Sequence, residues 1–311
     1  MFLWFSCCDD EAITLMYLSV LHEDGGGTRT RWARPMYLNS TQQFNKMNSR
    51  KLPSNDLLLK TAVAAAKAGS AYAVKGRSRN QDANLISNHD VKLKLDVECQ
   101  QVVTETILKA FPDHAVLGEE DDEHQTAAPD AYEWVVDPID GTVNFFHGSP
   151  YWCCSVAVRR NGEMLAGCVC SPDMGLVFEA TAEGPALRNG SPIRVSKISE
   201  MDMAIVHTGA DKSASPESGP FRFFNAIAGL IQRPRICGAA ALDICMTAAG
   251  ASDGYFEPGI YIWDIAAADL ILRRAGGQST ILRTFGGHRL AYLGSNGLIH
   301  KPLLDTLESV F

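Results

Sequence analysis

Several patterns that mark common protein classes are missing from this sequence. No two cysteines form a CxxC pair, which argues against a zinc ribbon. No apolar run approaches the ~18 residues that a membrane-spanning helix needs, and there is no internal repeat. The net charge is -8 at pH 7, from 28 Lys and Arg against 36 Asp and Glu. This acidic balance argues against binding nucleic acid by phosphate neutralisation. We therefore expect neither a membrane nor a nucleic acid as partner.

Cysteine is present in an odd number, nine. The neighbouring Cys153 and Cys154 lie in an apolar run. We interpret the thiols as buried and reduced, which is typical of a cytoplasmic protein. The apolar start at residues 1–5 lacks a basic segment and soon meets acids at 9–11. We therefore expect neither a signal peptide nor an anchor.

Residues 1–50 differ in composition from the rest of the chain. A glycine run at 25–27 interrupts them, and 39–50 are mostly polar. They show no helical or strand period, so we expect a disordered arm or a wrongly assigned start, with Met47 as an alternative initiator. A docking tail is the functional alternative.

Helix signals mark the beginning of the ordered part. Ser54 is a good N-cap for a helix over 56–74, which is rich in alanine and leucine. A second helix is predicted over 95–110, where apolar residues recur at helical spacing. Residues 76–88 are polar and are predicted to form a loop.

An antiparallel meander and then alternating elements follow along the chain. Asn161-Gly162 and Asn189-Gly190 predict tight turns of hairpins. From about residue 196, strands are predicted at 204–206, 254–256 and 290–293. Helices are predicted at 221–231, 239–249, 263–275 and 301–310. This order predicts a layered α+β fold with halves at 54–195 and 196–311 and a ligand cleft between them.

The most informative stretch runs from Asp137 to Thr142, with the sequence Asp-Pro-Ile-Asp-Gly-Thr, directly after an apolar run. Two carboxylates flank a proline, and a Gly-Thr pair follows. The carboxylates can bind hard cations through oxygen, and backbone N–H groups at a helix start can bind phosphate. A cation beside a phosphate indicates phosphoryl transfer or phosphate hydrolysis, because divalent metals activate water and neutralise phosphoryl oxygens.

Other acids stand at predicted strand ends and helix starts, where side chains face a cleft. They are Asp96, Glu119, Glu120 and Asp264. Each of these acids, taken alone, is more typical of a helix cap or a solvated strand end. Thr142 is either merely an N-cap or a hydroxyl that orients an attacking water. Unit charges about 4 Å apart repel by roughly 4 kcal/mol at an effective dielectric near 20. Gathered together, these carboxylates would have raised pKa values or would bind cations.

The histidines carry no ligand spacing. His147, His207 and His288 are interpreted as ordinary loop or core residues, and Gly286-Gly287-His288 as a turn.

The ordered motifs resemble those of the lithium-sensitive, magnesium-dependent phosphatases. They are Glu119-Glu120, the Asp137–Thr142 stretch, and Trp263-Asp264 followed by Gly276-Gly277. Val143-Asn144-Phe145 after the threonine resembles inositol monophosphatase in particular. The resemblance covers the chain from about residue 54. It implies a layered αβαβα sandwich, usually a homodimer, that hydrolyses a phosphate monoester with two or three Mg²⁺ ions.

The resemblance also implies a ligand set for the ions. The first ion would be held by Glu119, Asp137 and the carbonyl of Ile139. Asp137, Asp140 and Asp264 would hold the second, and Glu119 would reach a third through water. The first half of the chain would thus carry most metal ligands, and the second half Asp264 and substrate contacts.

For the substrate, the resemblance implies backbone N–H groups from Gly141 and Thr142 at the phosphate. Thr142 and Asp96 would position and help deprotonate the attacking water, and Glu119 is implied as a third catalytic residue besides its role as a metal ligand. The implied contacts to the alcohol are Asp140, Gly238, Ala240 and Glu257.

Two departures bear on the substrate. Leu93 replaces a threonine of the family, and Tyr261 stands where inositol-specific members often carry histidine. The leading hypothesis is a phosphatase for an inositol or sugar monophosphate. The alternatives are another monoester, such as histidinol phosphate or a nucleotide 3′-phosphate, and a non-catalytic, metal-sensitive binding protein of the same fold.

Overall fold

The computed structural model describes residues 52–79, 83–86, 91–121, 127–128, 130–209 and 220–310. The predictions for residues 1–50 lie outside these ranges. Residues Ser54–Phe311 form one compact unit. None of the helices in the described ranges is long and apolar enough to cross a membrane.

The helices follow the predicted pattern closely. Their bounds are α1 Asn55–Gly76, α2 Lys94–Ala110, α3 Thr142–Phe146, α4 Pro220–Ala228, α5 Ala240–Ala248, α6 Ile262–Arg274 and α7 His300–Glu308. Short 3₁₀ turns occupy Arg77–Arg79 and Met201–Met203. Ser54 caps α1 as predicted, because its hydroxyl accepts a hydrogen bond from the Leu57 N–H at 3.3 Å.

Within the described residues, the first part of the chain builds a seven-stranded sheet. Its neighbours run in sequence order: β3 Ala115–Gly118, β4 Tyr132–Asp140, β5 Cys153–Arg160, β6 Glu163–Ser171, β7 Leu176–Thr181, β8 Leu187–Arg188 and β9 Ser191–Pro192. Strands β3 and β4 are parallel, and the other pairs are antiparallel. The predicted turn at Asn161-Gly162 is confirmed, with φ of 53° and 81° at these residues.

A second sheet, of five strands in the described residues, follows in the order β11-β10-β12-β14-β13. Its strands are β10 Ile205–Thr208, β11 Arg233–Arg235, β12 Gly254–Tyr261, β13 Gln278–Gly286 and β14 Arg289–Ser295. The predictions placed no strand at β11 or β13. The predicted loop over 76–88 is wrong at β1, Ala83–Ile86, which pairs with β2, Val91–Leu93.

The alternation of side chains along the strands sets the layers. In β4, Trp134 and Val136 pack with Leu58 of α1, in a cluster that α2 also joins. Val135 lies on the opposite face, since successive strand residues point to opposite sides. It packs in a cluster that includes Ile271 of α6. The sheet therefore lies between two layers of helices.

The second sheet is covered in the same way. Phe256 and Leu293 pack with Phe223 of α4 and Leu303 of α7 on the outer side. Tyr255, the neighbour of Phe256, packs in the cluster that contains α5 and α6. The order of layers is helix, sheet, helix, sheet, helix, which confirms the predicted α+β, αβαβα sandwich. The division into halves at 54–195 and 196–311 stays a prediction.

Candidate metal centre

The end of β4 turns sharply into α3. Asp137 accepts a hydrogen bond at Oδ1 from the Ile139 N–H at 3.0 Å, and Thr142 Oγ1 donates to the Ile139 carbonyl at 3.0 Å. Gly141, between strand and helix, has φ of +88°, a conformation that favours glycine. Gly141 is the N-cap of α3, so the reading of Thr142 as the N-cap is wrong. Local hydrogen bonds and one glycine thus fix the turn.

Three carboxylates converge at this turn. Asp137, Asp140 and Asp264 each offer an oxygen, and these atoms all lie within 4.8 Å of one another. Asp137 is 1% exposed and Asp140 is 6% exposed. Asp264 stands in the first turn of α6, where its Oδ2 accepts the Tyr261 N–H at 2.9 Å. The packing of α6 on the seven-stranded sheet therefore brings a distant part of the chain to the end of β4.

Glu119 joins the same group from the end of β3. Its backbone N–H donates to the Val136 carbonyl at 3.1 Å, which aligns it with β4. Its carboxyl group is hydrogen-bonded to that of Asp137 and raises the pKa of Asp137 by its charge. Glu120 is held by its backbone, whose N–H donates to Gln100 Oε1 at 2.9 Å.

The electrostatics of the site are those of crowded acids. Burial first, and then the charges of Glu119, Asp140 and Asp264, raise the pKa of Asp137 well above its ordinary value. Burial raises the pKa of Asp140 to about 7, although hydrogen bonds from Cys153, Ala241 and Ala240 oppose the shift. Burial and the neighbouring Asp140 raise the pKa of Asp264 to about 8. Without a cation, the site therefore holds protons at neutral pH.

The donor set fits a hard cation. Every side chain of the Asp137, Asp140 and Asp264 group offers carboxylate oxygen, the ligand that Mg²⁺ prefers. A divalent ion would replace the protons that these acids otherwise keep. Within the described part of the chain, Asp137, Asp140 and Asp264 could together hold such an ion, and the full ligand set stays a prediction.

The start of α5 lies against the acids. Asp140 accepts the N–H groups of Ala240 at 3.0 Å and Ala241 at 2.8 Å. A Cβ added at Gly141 would lie 3.0 Å from the carbonyl oxygen of Gly238. Two of the residues predicted to bind the alcohol, Gly238 and Ala240, are therefore at the carboxylate cluster.

Glu257 and Asp96 are placed less directly. The charge of Glu257 contributes to the raised pKa of Asp264, and its carboxylate accepts a hydrogen bond from Tyr255. Asp96 is 2% exposed, in the first turn of α2. Its neighbour Leu95 packs in one cluster with Ile139 of the turn. The start of α2 thus lies beside the turn, while the role of Asp96 stays a prediction.

The three histidines occupy different environments. His147 ends α3 as its C-cap, and His288 lies in the turn between β13 and β14 with φ of 66°. His207 is buried, and its Nδ1 lies 2.6 Å from Oδ1 of Asp243. Together with Cys237 these two residues form a second group that could hold a metal. The interpretation of His207 as an ordinary residue missed this, because its partners lie 30 and 36 residues further along the chain.

Comparisons with known proteins identify the family to which the chain is similar. A family model described as "Inositol monophosphatase family" matches residues 54–306. The Nus factor SuhB of Pasteurella multocida (strain Pm70) is 35% identical over 245 residues, which are 78% of this chain and 90% of that protein. The inositol-1-monophosphatase of Rhizobium meliloti (strain 1021) is 34% identical over 246 residues, 75% of this chain and 91% of that protein.

Solved structures give the same result for the fold. The structure of inositol monophosphatase from Anabaena (Nostoc) sp. PCC 7120 superposes with a TM-score of 0.70 and 31% identity, and covers 82% of this chain and 96% of its own. The Thermotoga maritima IMPase TM1415 gives a TM-score of 0.71 at 28% identity, over 81% of this chain and 97% of its own. By sequence and by fold, this chain belongs to the inositol monophosphatase family.

Proposed function

We propose that this chain is a magnesium-dependent phosphatase that hydrolyses a small phosphate monoester, with an inositol or sugar monophosphate as substrate. The observation that carries the proposal is the convergence of Asp137, Asp140 and Asp264 within 4.8 Å. Buried acids with raised pKa values, next to a fixed strand-to-helix turn, are typical of a functional site. Membership in the inositol monophosphatase family supports the reaction class.

The ions would share the ligands that the resemblance implies. Glu119, Asp137 and the Ile139 carbonyl would hold one ion, and Asp137, Asp140 and Asp264 another, with Glu119 reaching a third through water. Magnesium bound there would neutralise the phosphoryl oxygens and stabilise the leaving alkoxide. Each of the three carboxylates already accepts a hydrogen bond from a backbone N–H group, which holds it in position before any ion arrives.

The turn itself would bind and orient the reactants. The backbone N–H groups of Gly141 and Thr142 would donate to the phosphate. Thr142 Oγ1 already donates its hydrogen to the Ile139 carbonyl, so its lone pairs can accept a hydrogen from a water molecule. Thr142 would thereby turn the oxygen of that water toward phosphorus, and Asp96 would take up its proton.

The alcohol part of the substrate would lie between Asp140, Gly238, Ala240 and Glu257. Tyr261 is 38% exposed, and its backbone N–H donates to Asp264; it occupies a position where inositol-specific members often carry histidine. The relative from Rhizobium meliloti is named for inositol 1-monophosphate, which supports an inositol phosphate as the first substrate to test. Inhibition by lithium and a homodimer are further expectations from the resemblance.

A panel of monoesters tests the proposal. Phosphate release is measured from inositol 1-phosphate, histidinol phosphate, sugar phosphates and 3′-phosphoadenosine 5′-phosphate, with magnesium and with a chelator. We expect release only with magnesium and the highest kcat/KM on an inositol or sugar phosphate. A higher kcat/KM on 3′-phosphoadenosine 5′-phosphate would contradict the proposed substrate class. Full phosphate release in the presence of chelator would contradict the dependence on magnesium.

A second candidate function has one observation in its favour. Several relatives at 34–35% identity are named Nus factor SuhB, so a role as a protein partner is the alternative. The complete set of Asp137, Asp140 and Asp264 favours catalysis. Absence of phosphate release from every monoester of the panel, at saturating magnesium, would favour the binding role.

A further inference from the structure

A second cluster of ligand atoms shares no residue with the carboxylate cluster, although the charge of Asp243 reaches Asp140 and raises its pKa. His207 stands on β10, Cys237 follows β11, and Asp243 lies in α5. One atom from each residue lies within 4.8 Å of the others. His207 is 8% exposed and Asp243 is 1% exposed, while Cys237 is half-buried. The cluster thus has two buried ligands and one at its opening.

The chemistry of these ligands differs from that of the carboxylate site. An imidazole nitrogen, a sulfur and one carboxylate oxygen form a mixed donor set. Sulfur and imidazole suit Zn²⁺ and similar transition metals, and Mg²⁺ prefers oxygen alone. Three protein ligands are the number found in zinc sites that keep one position open.

We propose that His207, Cys237 and Asp243 form a binding site for a thiophilic divalent cation of the zinc type, separate from the magnesium site. The half-buried Cys237 gives the ion a path to the two buried ligands. On binding, the Cys237 thiol would lose its proton to solvent and coordinate as a thiolate.

The surroundings hold the ligands in position. Asp243 Oδ1 accepts a hydrogen bond from Tyr151 Oη at 2.6 Å as well as its contact with His207. Such outer contacts orient metal-binding carboxylates. Burial and the charge of Asp243 raise the pKa of Cys237 to about 11, so without an ion the cysteine is a neutral thiol at physiological pH. The segment before Gly238 is fixed by Asn144 Nδ2, which donates to the Cys237 carbonyl at 2.8 Å.

A purely structural explanation makes a different prediction. Tyr151, His207 and the Cys237 thiol all hydrogen-bond to Asp243, and this network could simply satisfy a buried carboxylate. In that case no ion binds, and a serine at position 237 has no effect on metal content.

Cobalt titration separates the two explanations. The full-length chain is titrated with Co²⁺ in excess Mg²⁺, which occupies oxygen sites, and the near-ultraviolet charge-transfer absorption of a thiolate–cobalt bond is followed. We expect the band to grow to one equivalent and to disappear when Zn²⁺ is added. It should be lost in Cys237→Ser and kept in Cys170→Ser, a matched change at a buried thiol elsewhere, and in Asp264→Asn.

Zinc binding by equilibrium dialysis supplies a second measurement on folded variants. His207→Gln should weaken zinc binding by more than the about 10–100-fold that loss of an outer contact typically costs, and Tyr151→Phe should fall within that range. A charge-transfer band that survives in Cys237→Ser, or absence of the band in the unaltered chain, would overturn the proposal. Neither measurement depends on phosphatase activity, so the outcome is independent of the proposed function.

Discussion

The two candidate metal sites differ in how they balance their own charge. The cluster of Asp137, Asp140 and Asp264 contains acids only, and burial, together with the charges of neighbouring acids, raises their pKa values. The cluster around Asp243 surrounds one carboxylate with the hydrogen-bond donors Tyr151 and His207. The first group therefore needs protons or cations to be stable, and the second is satisfied by the protein itself.

This difference has a thermodynamic consequence. A cluster of like charges is stabilised when a cation binds, so the stability of the folded protein should depend strongly on the ion. A site that is already hydrogen-bonded must give up contacts before it can bind. We therefore expect magnesium to be a resident cofactor and the zinc-type ion to be an optional one. Four predictions test the contrast, from the largest effect to the smallest.

Asp264→Asn should damage catalysis most. The change removes one charged ligand from the second magnesium ion, and we expect kcat/KM to fall by at least about 100-fold, or about 2.7 kcal/mol. Stability without metal should not fall, because asparagine resembles the protonated carboxyl that a pKa of about 8 implies. Asp202→Asn, at an exposed position, is the control. Unchanged turnover at saturating magnesium would contradict the ligand assignment.

The same substitution at Asp243 should lower the stability of the metal-free protein, which Asp264→Asn should not. Asp243→Asn removes the charge that accepts hydrogen bonds from Tyr151, His207 and the Cys237 thiol, so the free energy of unfolding should fall by about 1–3 kcal/mol. Urea unfolding of the metal-free protein measures this beside Asp264→Asn. If both variants lose stability equally, the contrast between the clusters is wrong.

Gly141→Ala should affect activity more than its strain explains. A Cβ there would lie 3.0 Å from the Gly238 carbonyl and 3.1 Å from the Ala239 Cβ, which should displace the turn and lower kcat/KM about tenfold, or about 1.4 kcal/mol. Gly190→Ala is the matched control, because Gly190 also has a positive φ of 77° but nothing within 4 Å. Both should lose about 1–2 kcal/mol of stability from backbone strain. Equal activity in the two variants would remove Gly141 from the site.

The last effect is a dependence of stability on pH, which amounts to at most about 1.4 kcal/mol per pH unit for each titrating group. Asp140 and Asp264 have pKa values of about 7 and about 8 in the folded protein, above the ~3.9 of an unfolded chain. Between the unfolded and the folded pKa values, the folded state binds more protons than the unfolded state. The free energy of unfolding should therefore fall as pH rises through this interval.

Urea unfolding of metal-free protein at about pH 5 and about pH 8 measures this slope. Magnesium should reduce the loss at high pH, and Asp264→Asn should lose less stability than the unaltered chain over the same interval. Identical slopes in the variant and the unaltered chain would show that Asp264 does not titrate in this range.

Local signals account for what could be predicted from the sequence. The hairpin at Asn161-Gly162 and the cap at Ser54 depend on neighbouring residues, so they are visible in short windows. Strand β13 was missed because most of its residues are exposed, which removes the alternation that marks a half-buried strand. Strand β11 has the sequence Arg-Pro-Arg, and only its pairing with β10 makes it extended.

The same distinction applies to the sites. The Asp137–Thr142 turn could be recognised because proline and glycine fix its geometry within six residues. The approach of Asp264 to it follows from the packing of α6 on the sheet, and only the ordered resemblance to a family suggested it beforehand. His207 had no such help, since its neighbours in space come from the segment after β11 and from α5.

Asp140 connects cation binding to the start of helix α5, which is hydrogen-bonded to its carboxylate. Both of its carboxylate oxygens accept amide hydrogens, from Ala240 and Ala241. An ion that draws electron density from this carboxylate must weaken those acceptors, since the lone pairs are shared. The exchange of these two amide protons with deuterated solvent is therefore a built-in reporter of occupancy, readable by nuclear magnetic resonance without any substrate.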